Sequence, residues 1–201
     1  MPGSLACANL LRLAKKSPPK TVTENELSAC ADILQTVPMR WLRAPENNRR
    51  RAKANVEVIK FYSVNDEFGE FSNFAQYPIK LKGKVWPSSE HYFQAMKFEE
   101  EKDRSDIRKA KSPLEAARKG RDRKRKLRND WESVKLNIMR EAILAKFTQH
   151  DALRERLLST GSAKIVEHTD NDDYWGDGGD GSGQNMLGRI LEEVRAQLSE
   201  D

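Results

Sequence analysis

The apolar residues of this chain fall into two spacings, and each predicts a different kind of element. Val134, Ile138, Met139, Ala142 and Ile143 recur at helical intervals and predict a long helix over residues 130–147, with Asp130 as its cap. Leu187, Ile190, Leu191, Val194 and Leu198 draw a second stripe and predict a C-terminal amphipathic helix. Residues 58–62 and 164–168 have strand composition. Ile79-Lys80-Leu81, the turn Lys82-Gly83-Lys84 and the return Val85-Trp86 read as a hairpin. Pro87-Ser88-Ser89 caps a helix through Phe98, and Ser112-Pro113-Leu114-Glu115 is a capping box with proline at the first helical position. A shorter helix over residues 152–158 ends before Gly161. The sum is an α+β fold, predominantly helical with a small β-sheet.

Those elements occupy residues 56–201. Residues 1–55 read as an N-terminal extension, partly disordered or with one helix, that serves as a tether or in targeting or partner binding: a capped helix over about residues 23–35, Pro38, then a hydrophilic linker from Pro45 through Arg51. Charge divides the same way. The chain has 36 Lys and Arg against 31 Asp and Glu, and residues 1–55 hold ten of the former and four of the latter, a balance of +6. The remaining 26 basic and 27 acidic residues leave the domain at −1, so the net +5 is no general nucleic-acid signature.

No apolar run approaches the roughly 20 residues that a membrane-spanning helix needs. The start of the chain is too weakly apolar for a secretory signal, while its lack of acids before Glu24 leaves organelle targeting as an alternative to the cytoplasm. Cys7 and Cys30 both precede the domain and form no metal or redox motif.

The chemistry concentrates in residues 170–185, which pack five aspartates, five glycines, Tyr174 and Trp175 into sixteen positions. Aromatic faces beside carboxylates on a glycine-freed backbone suit a ring-stacking, cation-stabilising site, and an acidic turn is the alternative. Gly176-x-Gly178-x-x-Gly181 lacks the surrounding βαβ unit of a dinucleotide fingerprint. A calcium loop counted from Asp170 would put Trp175 and Gly181 where Gly and Glu are required. Neither zinc-ligand spacing nor a Gly-x-Ser-x-Gly elbow occurs, and no cofactor or metal is expected.

Glu90, Gln94 and Lys97 share one helical stripe, either lining a polar pocket or forming a solvated face. Eight of the eleven residues 118–128 are basic, either a solvated turn or a phosphate- or RNA-binding run, with Trp131 close by as a stacking platform or a core residue. Carboxylates, aromatics and phosphate-binding bases without a nucleophilic thiol suit cleavage of a glycosidic bond through an oxocarbenium-like transition state.

Six motifs then occur in order: Phe61-Tyr62, Gly69-Glu70-Phe71-Ser72-Asn73-Phe74, Trp86-Pro87-Ser88-Ser89-Glu90-His91-Tyr92-Phe93-Gln94, Arg128-Asn129-Asp130-Trp131, Ala145-Lys146-Phe147 and Asp172-Asp173-Tyr174-Trp175-Gly176-Asp177-Gly178. With them the chain resembles the NADAR family, in its YbiA-type branch, over roughly residues 57–199. The resemblance implies an N-glycosidase that splits phosphoribosylated pyrimidine intermediates of riboflavin synthesis into ribose 5-phosphate and an amino-pyrimidine, a form of metabolite damage control. Other branches of the family imply removal of ADP-ribose from guanine, where nucleic acid becomes a substrate, and a non-catalytic ADP-ribose or NAD module is a third alternative. The family's functional positions fall on Glu90, Trp131, Trp175 and an acid of the Asp170/Asp172 pair. On this basis Glu90 and Asp172 are expected to share water activation and charge stabilisation, with Trp131 and Trp175 sandwiching the pyrimidine. Lys97, Arg121 and Arg128 are candidates for the phosphate, and Asn73, Gln94, Asp170, Tyr174 and Asn185 for further substrate contacts. The implied partner is a small phosphorylated substrate; the oligomeric state stays open.

Overall fold

The computed structural model describes residues 57–200. The extension helix, the linker, Cys7 and Cys30 lie outside the described residues. The element order is β1 (Val58–Phe61), a 3-10 turn (Gly69–Phe71), β2 (Ile79–Leu81), β3 (Lys84–Trp86), α1 (Ser89–Ala95), α2 (Glu101–Arg108), α3 (Pro113–Gly120), α4 (Trp131–Gln149), α5 (Asp151–Ser159), β4 (Lys164–Glu167) and α6 (Met186–Glu200). Among the described residues, six helices and four short strands make the fold α+β and helix-rich, with one departure from expectation. The strands form two separate pairs: parallel β1–β4 and antiparallel β2–β3. The hairpin is closed by Lys82 and Gly83, both at positive φ, and the Trp86 indole donates to the Leu81 carbonyl at 3.2 Å.

Helix α1 is the centre of the packing. Ser88 caps it by accepting from the His91 N–H, and all seven of its residues are buried. A helix this short is marginal by itself, so tertiary contact must hold it. Helices α2, α3 and α4 pack around it, and the His91 ring bridges Ser88 Oγ at 2.8 Å to the Ala110 carbonyl at 3.2 Å. The helix stops at Ala95, short of the expected Phe98, because Phe98 pairs in a β-bridge with Leu127.

Helix α4 runs roughly 28 Å by its rise per residue. It buries Ile138, Met139, Ala142 and Ile143 as its periodicity predicts, with Val134 half-buried. Asp130 stands at its N-cap, but its carboxylate accepts no capping N–H, because it is paired bidentately with Arg128. In α6 all five residues of the predicted stripe are buried, against β4 and α4. Helix α2 was not expected, since its eight residues contain only one buried apolar position, Ile107. Its acids explain its place: Asp103 and Asp106 neutralise Arg125, and Asp106 also pairs with Lys119.

Near the C-terminal end of α4, Lys146 is fully buried and donates to the carbonyls of Glu70 and Ser72, the latter at 2.9 Å. It thereby fixes the turn that precedes Asn73. Burial pushes its ammonium down to about 7, against the attraction of Glu70. Lys146→Met keeps the stem but leaves the Glu70 carbonyl without its donor, while the Ser72 carbonyl keeps the Ala75 N–H, at a cost of about 1–3 kcal/mol. A chemical-denaturation curve should show a loss of that order, and an unchanged midpoint would refute the anchoring role.

Candidate active site

Glu90 lies in the first turn of α1, two residues after the cap, and is 2% exposed. Its amide N–H donates to the Asn73 carbonyl at 3.1 Å, which ties the helix to the turn that Lys146 holds. Its carboxylate is bonded from both sides. The Asn73 side-chain amide donates to one oxygen, and Gln94, one helical turn on, donates to the other at 2.7 Å. Gln94 is positioned by a close approach of α3: a Cβ at Gly120 would fall 2.0 Å from Gln94 Oε1. That same Oε1 is buried without a partner among the described residues, so the amide is turned to give its donor to the carboxylate. Burial pushes Glu90 up to about 7, against the Gln94 bond and the charges of Lys97 and Arg121. Lys97 is itself pushed below the usual ammonium range by burial, with Glu90 opposing.

The facing wall comes from the end of β4 and the acidic loop. Glu167 is the last residue of β4; its N–H donates to Asn185 Oδ1 at 2.9 Å and its carbonyl accepts from Asp177 N–H at 2.9 Å. Its carboxyl is pushed up to about 7, first by burial and then by the charges of Asp172, Glu90 and Asp177. Asp172 turns back on its own chain, accepting from Tyr174 N–H at 2.9 Å and Trp175 N–H at 2.7 Å through one oxygen. Asp177 braces the loop from inside. It accepts from the Thr169 and Gly179 amides and meets His168 Nδ1 at 2.8 Å. Burial alone would raise Asp177, but the His168 and amide bonds outweigh it and hold the carboxyl below the usual range. The loop closes tightly around this hub, since a Cβ at Gly176 would stand 2.4 Å from the Thr169 methyl.

Between the walls lies a cavity of about 560 Å³, lined among others by Glu90, Glu167, Asp172, Lys97, Arg121 and Trp175. Asn73 and Gln94 also line it, with Phe93 and Met139 as apolar floor. The solvated-face alternative for the α1 stripe therefore fails: Glu90 and Gln94 are buried, and Lys97 is half-buried. Among the described residues no group of His, Cys, Asp and Glu converges closely enough to hold a metal ion.

Five of the expected site residues do not line this cavity. Trp131 is buried behind it, 5.1 Å from the Phe93 ring, while Trp175 meets the same ring edge-on at 5.3 Å. Both indoles pack on Phe93, so a pyrimidine sandwiched between them is not what the arrangement offers. Arg128 is engaged by Asp130 and the Met96 carbonyl. Tyr174 packs edge-on against Trp175 at 5.1 Å, with the Lys135 ammonium 4.0 Å above its ring. Asp170 is exposed and lies against the backbone at Gly179. Asn185, at φ 50°, spends its amide inside the chain, donating to the Ile165 carbonyl at 2.8 Å. The basic run 118–128 is divided in the same way: Arg121 lines the cavity, Lys119, Arg125 and Arg128 are ion-paired, and Arg118, Arg123, Lys124 and Lys126 are exposed.

Glu167, Tyr62, Thr169 and Asn171, not among the expected site residues, also line the cavity. The signal for Glu167 was its parity. It stands two residues after the fully buried Ile165 on a strand, and so shares that residue's face. Tyr62 and Asn171, whose side chains are bonded at 3.3 Å, carried no such signal.

The model of the NADAR domain matches residues 60–199. The chain is 60% identical over 142 residues to the N-glycosidase YbiA of Escherichia coli (strain K12), an alignment covering 71% of this chain and 89% of that one. It is 39% identical over 150 residues to a riboflavin biosynthesis protein of Vibrio vulnificus (strain YJ016), covering 75% of this chain and 41% of that one. The fold agrees as well, since the NMR structure of E. coli YbiA superposes with a TM-score of 0.68 at 59% identity, over 72% of this chain and 86% of that one. The chain belongs to the NADAR family.

Proposed function

We propose that this protein hydrolyses the N-glycosidic bond of a phosphoribosylamino-pyrimidine intermediate of riboflavin biosynthesis, releasing ribose 5-phosphate and clearing a labile metabolite. It is a hydrolase acting on N-glycosyl compounds, a reading supported by its 60% identity to an enzyme named N-glycosidase. The substrate is the further step, and one observation carries it. A single cavity collects three carboxylates, two cations and an aromatic wall. The carboxylates suit an oxocarbenium-like transition state, the cations a 5′-phosphate, and Trp175 with Phe93 a flat base. The volume of about 560 Å³ falls in the range of small-ligand sites. The name of the Vibrio relative supports placing the substrate in riboflavin synthesis.

Within this reading Glu90 takes the proton from the attacking water. A carboxylate lifted to about 7 is a stronger base than an ordinary one and is still ionised at neutral pH in a useful fraction. Asp172, fixed through one oxygen by two backbone amides, presents its other oxygen as the charge that stabilises the anomeric carbon. Lys97 and Arg121 hold the phosphate. Trp131 backs Phe93 and so shapes the base-binding wall from behind.

Release of ribose 5-phosphate, followed with chromatography of the pyrimidine product, tests the proposal on freshly made 5-amino-6-(5-phosphoribosylamino)uracil. Glu90→Gln should lower kcat by about 10²–10⁴-fold. EDTA should leave the wild-type rate unchanged. Absence of turnover on this substrate, with release of ADP-ribose from ADP-ribosylated guanosine instead, would replace the reading with its family alternative.

The ionisation of Glu90 should also appear in stability. Its carboxyl sits at about 7 when folded against 4.5 when free, so between those values the folded chain keeps a proton that the unfolded chain has lost. Stability therefore falls as pH rises through that window, by on the order of 3 kcal/mol from this group. Glu90→Gln should make the decline in melting temperature between pH 4.5 and 7 shallower, leaving the part that Glu167, lifted to the same value, contributes. An equally steep decline in the variant would show that Glu90 is not the titrating group.

A further inference from the structure

The three carboxylates of the cavity are not held alike. Glu90 accepts a side-chain amide on each oxygen, and Asp172 accepts two backbone N–H groups on one of its own. Such bonds favour the ionised form. The Glu167 carboxyl accepts no hydrogen bond and forms no ion pair among the described residues, although it lines the same cavity. Its neighbours add to the asymmetry. The charges that act on it, Asp172 and Asp177 of the loop and Glu90 of α1, are all three acidic. The cations of the cavity, Lys97 and Arg121, are attracted to Glu90. His168 is engaged by Asp177, and Tyr62 at the end of β1 by Asn171. From α6 only Leu187 borders the cavity, since Glu192 is bonded to the Ile165 amide farther back along the strand. Glu167 is thus the carboxyl of this cavity that has no hydrogen-bond donor among the described residues to favour its charged form.

We propose that Glu167 is the general acid of the reaction, donating its proton to the departing nitrogen as the glycosidic C–N bond breaks. The assignment rests on the N-glycosidase reading above and adds a proton donor for the leaving group to a site in which Glu90 is the proton acceptor. The bond's electron pair passes to the nitrogen, which takes the Glu167 proton and leaves as a neutral amine. The water oxygen bonds to the anomeric carbon and gives its proton to Glu90. Exchange with solvent returns Glu90 to carboxylate and Glu167 to carboxylic acid, so one water is consumed and neither group is altered. Burial and the three neighbouring charges lift Glu167 to about 7, a value at which it still carries a proton near neutrality.

The pH profile of the full-length enzyme distinguishes an acid from a merely structural carboxylate. Wild-type kcat/KM on the phosphoribosylamino-pyrimidine should be bell-shaped, its acid limb set by Glu90 and its alkaline limb by Glu167. Glu167→Gln should lower kcat by about 10²–10⁴-fold, leave KM within about threefold, and remove the alkaline limb while keeping the acid one. A fall of less than about tenfold, or an alkaline limb retained in the variant, overturns the assignment. Should glutamine at this position prevent folding, Glu167→Asp carries the test. Aspartic acid ionises about 0.4 pH below glutamic acid, so the alkaline limb must move to lower pH, and a limb that stays in place overturns the assignment. Failure of the wild type to release ribose 5-phosphate would instead remove the substrate reading. Turnover by the wild type with an unaltered Glu167→Gln variant removes this inference alone.

Discussion

The burial of Glu90 is the constraint around which the rest of the site is arranged. A carboxylate 2% exposed to solvent cannot stay ionised without donors, and here each oxygen has one, from Asn73 and from Gln94. Each donor requires its own support. Asn73 follows a turn whose carbonyls are held by Lys146, itself buried in α4. Gln94 depends on the missing side chain at Gly120, which lets α3 come within contact of α1. The Ser88 cap and the bond from Glu90 N–H to the Asn73 carbonyl then fix the start of the helix relative to the turn. One buried charge thus enlists three helices and a turn.

The opposite wall solves a different problem, which is to shape a long acidic loop without a core of its own. Asp177 does this from within. It is 5% exposed and gathers two backbone amides and the His168 ring. Glycine is required where the loop doubles back, most clearly at Gly179, whose φ of +80° and contact with Asp170 would admit no side chain. Asn185 joins the loop to β4, receiving from Glu167 and donating to Ile165. The many acids of this segment are consequently not equivalent. Asp177 is structural, Asp170, Asp173 and Asp180 are exposed, and only Asp172 and the preceding Glu167 border the cavity.

That division explains how much was legible in the sequence. The α4 and α6 stripes, both serine caps and the hairpin follow from local rules, and each stands where its residues predict it. Glu90, Gln94 and Lys97 share a stripe by helical spacing, but their burial depends on α3 and the 72–74 turn, which no local pattern encodes. The tandem of Trp131 and Trp175 was misleading for the same reason. Their chemistry suggests a sandwich, whereas Phe93 stands against both rings. Helix α2 was invisible because it is held by ion pairs to Arg125 rather than by an apolar face. Glu167 was missed because its role is defined by neighbours far away in sequence.

The wall that carries Glu167 is held by the parallel pairing of β1 with β4, in which Phe61 stands opposite Glu167. Side chains alternate along a strand, so a slip of one residue in this register would turn Glu167 out of the cavity and bring Val166 into its place. The buried Ile165 and Phe61 oppose that slip, as do the bonds that Asn185 makes to both sides of Val166. The same pairing delivers Tyr62 to the rim, where it meets Asn171 of the loop. Strand pairing of four residues is weak in itself. Here it is reinforced by α6 packing against β4, so the geometry between the carboxylates of α1 and β4 is set by the hydrophobic core rather than by the strands. Placing Glu167 on a strand and Glu90 on a helix in this way lets packing fix the spacing of the two carboxyls while each keeps its own electrostatic surroundings.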